Sequence, residues 1–389
     1  MSGRLYLALR HAQRRPARSA ILVACLALVL TIPVVSRVLA ARFERTLHKR
    51  ADAVPMIVGA AGSRFDLVFA ALYYRSTPIG TMKMRDYRAL LDDQTVQVFP
   101  IHARFTAQGA PVVATSIEFF ELQGLHLDEG RMFVALGEAV VGAETARRLS
   151  LSPGDTLDTD QLKQYDITAP PSIRLHIAGV LAPAHSPDDA AVFIDLETAW
   201  VLEGAAHGHA DAQTIERPDL LIGKTDEHVA LSEAVVTIQE ITPENVGTFH
   251  IHGSRDDLPL TAVLVYPASE KASTILAARY NDTPGLQALS PSRVVEELID
   301  YVVQIRRLLD VVAVVLAAST IALIALIVAL AVRVRADEVR TLSEIGADRS
   351  AVFAIFAWEL GALALGALLA AGVLSAVVVT IISAVAPLL

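Results

Sequence analysis

Four histidines, arranged as two H-x-H pairs, are the residues of this chain best suited to hold a metal ion. They are His207 with His209 and His250 with His252, and Asp211 follows the first pair. Such a pair can ligate zinc when a loop or strand directs both rings to one side. Neither a cysteine nor an H-E-x-x-H helix accompanies them, so we interpret them as solvent-exposed loop histidines. We predict no bound metal and no cofactor.

Two other short motifs contain the residue types of catalytic sites without the required surroundings. Residues 223–225, Gly-Lys-Thr, resemble the end of a phosphate-binding loop, but that motif needs a glycine five positions before its last glycine, where Pro218 stands. His185, Asp188 and Asp189 have no visible nucleophile or acid partner, and we interpret them as a turn that leads into a strand. The chain is therefore predicted to be no enzyme and not to hydrolyse ATP itself.

A charged segment between two long apolar runs is the most informative feature of the chain. Residues 337–358 read DEVRTLSEIGADRSAVFAIFAW, whereas the runs 311–332 and 360–389 contain no charged residue. A charged connector held at a membrane surface is suited to receive a mechanical push. The alternative is a cytosolic loop that has no coupling role and carries its charges at the membrane interface.

Composition and hydropathy predict a chain that is partly in a membrane. Of 389 residues, 53% are hydrophobic and only 19% are charged, which is too apolar for an ordinary soluble protein. A spanning helix needs about 20 apolar residues, and we predict spans at 19–40, 306–333 and 351–389. The middle region, 41–305, has no such run. The net charge of −9 argues against a nucleic-acid partner.

Basic residues predict the direction in which the spans cross. Residues 1–18 contain five arginines, which place the N-terminus in the cytoplasm by the positive-inside rule. The first span continues without a small-x-small cleavage site, so we expect it to be retained rather than removed as a signal peptide. Region 41–305 is then exported, and 334–350 returns to the cytoplasm. The single cysteine, Cys25, lies in the first span, so the exported domain must fold without disulfides.

Strand-like and helix-like patterns alternate in the exported region, which predicts an α+β domain. The predicted pieces are strand Glu138–Val141 with helix Ala143–Leu149, an alternating strand with Ile173, Leu175 and Ile177 inward, a strand and helix start within 191–200, and strand Ala262–Tyr266 with helix Ser269–Tyr280. Periodicity is poorer between 204 and 253, where we place a second, smaller subdomain.

Three stretches of the chain resemble one family. They are LALRHAQRRPARSAILVACLALVL near the N-terminus, AVVGAETARRLSLSPGDTL with IAGVLAPAHSPDDAAVFIDLETAW in the middle, and VRADEVRTLSEIGADRSAVFAIFAWELGALALGALLAAGV near the C-terminus. Together they are similar to the FtsX-like permeases of ABC transporters, in the MacB and LolC/LolE group. The implied fold is an α-helical transmembrane bundle of three spans, or four if 351–389 is a hairpin. A large α+β MacB-type periplasmic core domain is inserted between spans 1 and 2.

The resemblance also implies a site and partners. The residues that match the coupling helix of the family are Arg340, Leu342, Glu344, Ile345, Gly346 and Ala347. The implied partners are a cytoplasmic ABC ATPase and a second permease subunit, which is either a second copy in a homodimer or a paralogue. A periplasmic membrane-fusion protein or a lipoprotein is a further alternative partner. Membrane lipids surround the spans. The implied location is the bacterial inner membrane. The fourth span that is usual in the family is not visible after 351–389.

Three functions are open at this point. The favoured one is a permease that transmits ATP-driven movement to its periplasmic domain for export or extrusion of a substrate or lipoprotein. The alternative is an FtsX-like signalling permease that transports nothing and activates a periplasmic partner such as a cell-wall hydrolase. A third is an anchored periplasmic sensor or binding module without an ATPase, which leaves the charged connector unexplained.

Overall fold

The computed structural model describes residues 16–160, 172–208, 221–224, 229–231, 240–251, 253–334 and 349–385. The chain divides into two compact units. One is a helical unit formed by the chain up to Leu47 and from Glu297 onward, and the other is formed by His48–Glu296. We call the second unit the ectodomain, after the prediction that region 41–305 is exported.

Within the described residues, nine α-helices are numbered in chain order. They are α1 (Pro16–Asp52), α2 (Arg64–Tyr73), α3 (Met84–Leu91), α4 (Glu118–Gln123), α5 (Ala143–Leu149), α6 (Leu196–Leu202), α7 (Glu270–Asp282), α8 (Pro291–Val334) and α9 (Arg349–Val385). Short 3-10 turns lie at Pro187–Ala190, Val246–Thr248 and Arg255–Asp257.

The strands of the described residues all belong to the ectodomain. They are β1 (Met56–Ala60), β2 (Met82–Lys83), β3 (Val96–Ala107), β4 (Ala110–Ala114), β5 (Leu127–Gly130), β6 (Glu138–Val141), β7 (Thr156–Asp158), β8 (Arg174–Leu181), β9 (Val192–Ile194), β10 (Ala206–Gly208), β11 (Leu221–Lys224), β12 (Val229–Leu231), β13 (Phe249–Ile251), β14 (Pro259–Leu260), β15 (Ala262–Pro267) and β16 (Leu286–Leu289).

The helical unit contains helices with the length and composition of membrane spans. Segments Ala20–Asp52 and Gly361–Ile382 each contain a stretch of 18 residues with a high mean hydropathy, 2.4 in the first and 2.5 in the second, and both segments are long enough to cross a bilayer. The predicted span 306–333 lies inside α8. Most of 351–389 is covered by α9, which runs unbroken from Arg349 to Val385. A single helix is therefore favoured over a hairpin, since the segment offers no polar turn.

Contacts within the helical unit join the first helix to both others. Arg37 on α1 donates from Nη2 to Asp310 Oδ2 on α8 at 3.1 Å. On α9, a Cβ placed at Gly366 would lie 3.6 Å from the Val23 side chain of α1, which is ordinary van der Waals distance. Small residues allow such close helix packing in membranes.

The ectodomain is built on one mixed sheet, which confirms the predicted α+β class. Ten strands pair in the order β16-β1-β15-β3-β4-β9-β6-β8-β5, with β7 added against β8. The pairs β4–β9 and β6–β8 are parallel, and the remaining pairs of this sheet are antiparallel. Two parallel pairs require crossovers, and the short helices α4 and α5 lie within these connections.

Strand β3 links the two halves of this sheet. Its first half pairs with β15 from Val96 to Ile101, and its second half pairs with β4 from His102 onward, with a register shift between His102 and Phe105. A separate apolar core packs on each half: one contains Val263 and Leu276, and the other contains Trp200. The bulge in β3 therefore lies where the two cores meet along one strand.

The strongly patterned segments fold as predicted. Strand β6 and helix α5 have the predicted bounds. In β8 the burial alternates along the strand, with Leu175 fully buried and the Arg174 side chain 45% exposed. The strand and helix in 191–200 and those around 262–280 are also confirmed.

Part of the region predicted as loop is instead strand. His207 lies in β10 and His250 in β13, and the two are directly opposite in an antiparallel pair. The prediction of loop histidines is wrong for the backbone at these two positions, because strands of three residues are too short to show an alternating pattern. The neighbouring pair β11–β12 is similarly short. His209, His252 and Asp211 lie outside the described residues.

Candidate functional site: a buried arginine clamp in the ectodomain

The last turn of α1 carries an arginine that is buried in the ectodomain. Arg50 is only 8% exposed, and it stands two residues before the helix ends at Asp52. A guanidinium cannot lose its charge in a protein, so burying it requires a counter-ion and hydrogen-bond acceptors. The fold must therefore supply both around Arg50.

Three side chains from separate elements surround this guanidinium. Arg50 Nη2 donates to Asp188 Oδ1 and to Tyr74 Oη, both at 2.9 Å, and Nη1 donates to Gln123 Oε1 at 2.5 Å. Tyr74 Oη in turn donates to Asp188 Oδ1 at 2.6 Å. We call Arg50, Tyr74, Gln123 and Asp188 the arginine clamp.

The Arg50, Tyr74 and Asp188 side chains of the clamp are almost completely buried, which fixes the ionisation state of Tyr74. Asp188 is 1% exposed and Tyr74 is 2% exposed. Burial, together with the adjacent Asp188 carboxylate, raises the pKa of Tyr74 well above its usual value, so the phenol stays a neutral donor. Arg50 Nε has no hydrogen-bond partner among the described residues. The clamp is thus one buried ion pair with a neutral bridging hydroxyl.

Local sequence explains how Asp188 reaches its position. The Ser186 hydroxyl accepts from the Asp188 amide and donates to Asp188 Oδ2 at 2.7 Å, which caps the 3-10 turn Pro187–Ala190. Gly142 packs directly on this turn: a Cβ at that position would overlap the carbonyl oxygens of Asp188 and Asp189. The glycine permits the close approach that holds the carboxylate in place.

Tyr74 is positioned by the end of α2. It occupies the left-handed region at φ 55°, and its amide donates to the Phe69 carbonyl as the helix ends. Its ring packs edge-on to Phe193 of β9, with ring centroids 6.0 Å apart. The end of α2 and the contact with Phe193 together fix the position of the Tyr74 hydroxyl.

A second buried polar cluster lies at the bulge of β3. His102 is 1% exposed, and its Nε2 is 3.1 Å from Glu203 Oε1. Arg104 Nη1 donates to the same oxygen at 2.8 Å. Burial by itself raises the pKa of Glu203, but the contacts with His102 and Arg104 outweigh it and hold that pKa below its usual value. The Glu203 carboxylate therefore connects the C-terminal end of α6 to strand β3.

The arginine clamp and the His102 cluster have the chemistry of structural joints. Neither combines an activated nucleophile with a base in an open cleft, as a catalytic site requires. Within the described ranges, no group of three or more histidine, cysteine or acidic residues is arranged to hold a metal ion.

The structure describes some of the residues singled out from the sequence and does not describe others. All six predicted coupling residues, Arg340 to Ala347, lie in 335–348, outside the described residues. The interpretation of 185–189 as a turn before a strand is confirmed. Lys224 ends strand β11 rather than a phosphate-binding loop. Sequence reasoning missed Arg50 and the role of Asp188, although an arginine at the end of a long apolar helix was a usable signal.

The chain combines long helices that have the composition of membrane spans with an α+β domain encoded between them. The family model of the MacB-like periplasmic core domain matches residues 20–241, and the chain belongs to this family. The chain is accordingly an ABC transporter permease of the FtsX-like, MacB type, as the sequence resemblance predicted.

Two solved structures are similar to the chain. The periplasmic region of MacB from Actinobacillus actinomycetemcomitans has 12% identity and a TM-score of 0.35, covering 64% of this chain and 95% of that one. The extracellular domain of the ABC-type transporter YknZ from Gram-positive bacteria has 10% identity and a TM-score of 0.32, covering 60% and 98%. No curated protein matches the chain.

Proposed function

We propose that this chain is the membrane subunit that transmits ATP-driven movement of a separate ABC ATPase to its periplasmic domain. Export or extrusion of a substrate or lipoprotein across or from the bacterial inner membrane is the purpose of that movement. Membership of the permease family supports the general role and an ATPase as the kind of partner. The arginine clamp supports the mechanical part.

The observation that carries this proposal is the way α1 ends. It is a single helix from Pro16 to Asp52, and it includes an apolar segment long enough to span a bilayer. Its last turn holds Arg50, whose buried ion pair with Asp188 cannot separate without exposing or stranding two charges. Removing one partner of such a pair costs about 3–5 kcal/mol. Movement of α1 is therefore transmitted to the ectodomain more easily than it separates the Arg50–Asp188 ion pair.

The second connection is α8, which begins in the ectodomain. Its first turn, within the ectodomain, contains the buried side chains of Val294 and Val295, and the helix continues without a break to Val334. Two continuous helices thus enter the ectodomain, one with a buried ion pair and one with an apolar anchor. Movement at the cytoplasmic end, where we place the coupling helix 334–350, would reach the ectodomain through both.

The test is a pair of variants in the proposed coupling helix. Changing Leu342 and Ile345 to Asp should abolish co-purification with the ATPase and the stimulation of its turnover, because both apolar contacts with the ATPase groove are lost. Ser343→Asp adds a charge in the same segment at a position that is already polar, and it should leave the complex intact.

A second readout reports on transmission itself. In the reconstituted wild-type complex, ATP should change amide hydrogen exchange at residues 188–190, in the turn that carries Asp188. The Leu342→Asp/Ile345→Asp variant should lose this response. An intact complex with an unchanged response in that double variant would refute the proposal. A response without any substrate-dependent stimulation in vesicles would instead support the signalling alternative.

A further inference from the structure

An open cleft of about 390 Å³ lies on the ectodomain, and none of the arginine clamp residues lines it. It is bounded by α3, the loop after β4, the loop before β6 and the start of α6. Its apolar lining consists of Met84, Ile117, Phe133, Val134, Leu196 and Trp200. Pockets for small molecules are concave, mainly apolar and about 300–1,000 Å³ in volume.

The floor and the rim of the cleft differ in exposure. Phe133 and Trp200 form the buried floor, at 3% and 4% exposed. Trp200 Nε1 already donates to the Pro259 carbonyl at 3.1 Å, so the indole offers only its apolar surface. Val134 and Ile117 at the rim are 81% and 50% exposed. Large apolar side chains left in water beside an apolar hollow are typical of binding sites.

The charged residues of the lining are already paired with one another or with neighbours. Arg88 pairs with Asp256, and Arg255 Nη1 is 3.4 Å from Glu197 Oε1. Asp195 Oδ1 accepts from the Thr198 amide at the start of α6. An ionic ligand would have to break one of these pairs to find a partner, whereas an uncharged ligand would not.

One polar group of the lining is left unsatisfied. The hydroxyl of Thr115 is buried without a hydrogen-bond partner among the described residues. Thr115 is one of the residues that line the cleft. Buried polar groups are usually satisfied, so such a group gives a ligand one polar contact to gain.

The rim that carries Val134 is held in place before any ligand arrives. Glu138 Oε2 accepts from the amides of Val134 and Ala135 at 2.9 and 3.1 Å, and its carboxylate is also paired with Arg131. A preformed rim lowers the ordering cost of binding.

We propose that this cleft binds an uncharged, apolar small molecule that carries at most one or two hydrogen-bonding atoms. A protein partner fits less well, because a stable protein interface buries about 800 Å² on each side, far more than one cleft of this size provides. The proposal rests on the geometry of the ectodomain alone and holds whether or not the chain transmits movement from an ATPase.

Trp200 makes the proposal directly measurable. The chain has two tryptophans, Trp200 and Trp358, so Trp358→Phe leaves the cleft residue as sole reporter. In full-length protein in lipid nanodiscs, the uncharged dye 1-N-phenylnaphthylamine should accept energy from Trp200 in a saturable way. Nanodiscs without protein and the same titration with the anionic dye 8-anilinonaphthalene-1-sulfonate give the background and the charge preference.

Variants at the rim decide whether the dye is in the cleft. Val134→Asp and Ile117→Asp place a carboxylate beside the ligand at exposed positions that tolerate it, and each should weaken Kd at least about tenfold. Ile275→Asp, at a 49% exposed position on α7 outside the lining, should leave Kd unchanged.

Three outcomes would overturn the proposal. They are the absence of saturable transfer, an unchanged Kd in both rim variants, and tighter binding of the anionic dye. If the dye does not bind but the rim variants block capture of a purified protein partner, the cleft is a docking surface and the proposal is wrong.

Discussion

Breaking the buried Arg50–Asp188 pair should lower the stability of the ectodomain much more than breaking an exposed ion pair does. Asp188→Leu leaves a guanidinium that is 8% exposed without a counter-ion. Such a loss costs about 3–5 kcal/mol. With a urea m value of ~2.5 kcal/mol per M for a domain of this size, the midpoint should fall by roughly 1–2 M.

The assay uses the same Trp358→Phe background, since Trp200 lies in an ectodomain core. Urea unfolding of the full-length protein followed by Trp200 fluorescence then reports on the ectodomain. The matched control is Asp158→Leu. Asp158 pairs with Arg174 at 2.8 Å, but the two side chains are 54% and 45% exposed, so its loss should cost no more than about 1 kcal/mol.

A double variant separates the ion pair from general damage to the core. Replacing both partners, as Arg50→Met/Asp188→Leu, removes the stranded charge, and we expect it to be less destabilising than the sum of the single changes by at least ~2 kcal/mol. Additive single effects, or a cost for Asp188→Leu no larger than that for Asp158→Leu, would refute the view that the clamp anchors α1.

Three further changes test the joints around the clamp and the cleft. Gly142→Ala should cost about 1–3 kcal/mol in the same urea assay, because the new Cβ overlaps two backbone carbonyls of the 3-10 turn; Gly247→Ala, with open space around it, should change little. Hydrogen bonds from Arg131 lower the pKa of Glu138 to about 2 from 4.5, so its contribution to stability is present above pH 4.5 and lost as pH falls towards 2. This loss of stability is at most ~3 kcal/mol, because solvent weakens the interaction with the exposed arginine. A Glu138→Gln variant should not show the loss when urea midpoints are compared at pH 5 and pH 2.5. An identical pH response in the variant and the wild type would contradict the role given to Glu138. His102→Ala should cost roughly 2–4 kcal/mol by urea midpoint, because it leaves a cavity and removes one hydrogen bond to Glu203, which keeps the bond from Arg104. A cost below 1 kcal/mol would show that the β3 bulge does not depend on the ring.

Local patterns allowed much of the ectodomain to be predicted. Strand β6, helix α5 and the alternation in β8 follow from hydrophobic period and turn residues that act over a few neighbours. The short strands around His207 and His250 escaped, because three residues contain too little pattern and their pairing partner is about 40 residues away along the chain. The order of the ten-stranded sheet, with β3 shared between two cores, likewise depends on distant pairings.

The sequence by itself determined the class of this protein, since long uncharged runs, a basic N-terminus and α+β patterning are properties of composition and local order. Only the tertiary structure decided that Arg50 is a buried anchor and that Asp188, at a position that reads as an ordinary turn, is its counter-ion. The two residues are 138 positions apart in the chain. A charge becomes buried, and therefore requires a partner, only after the elements that surround it have packed.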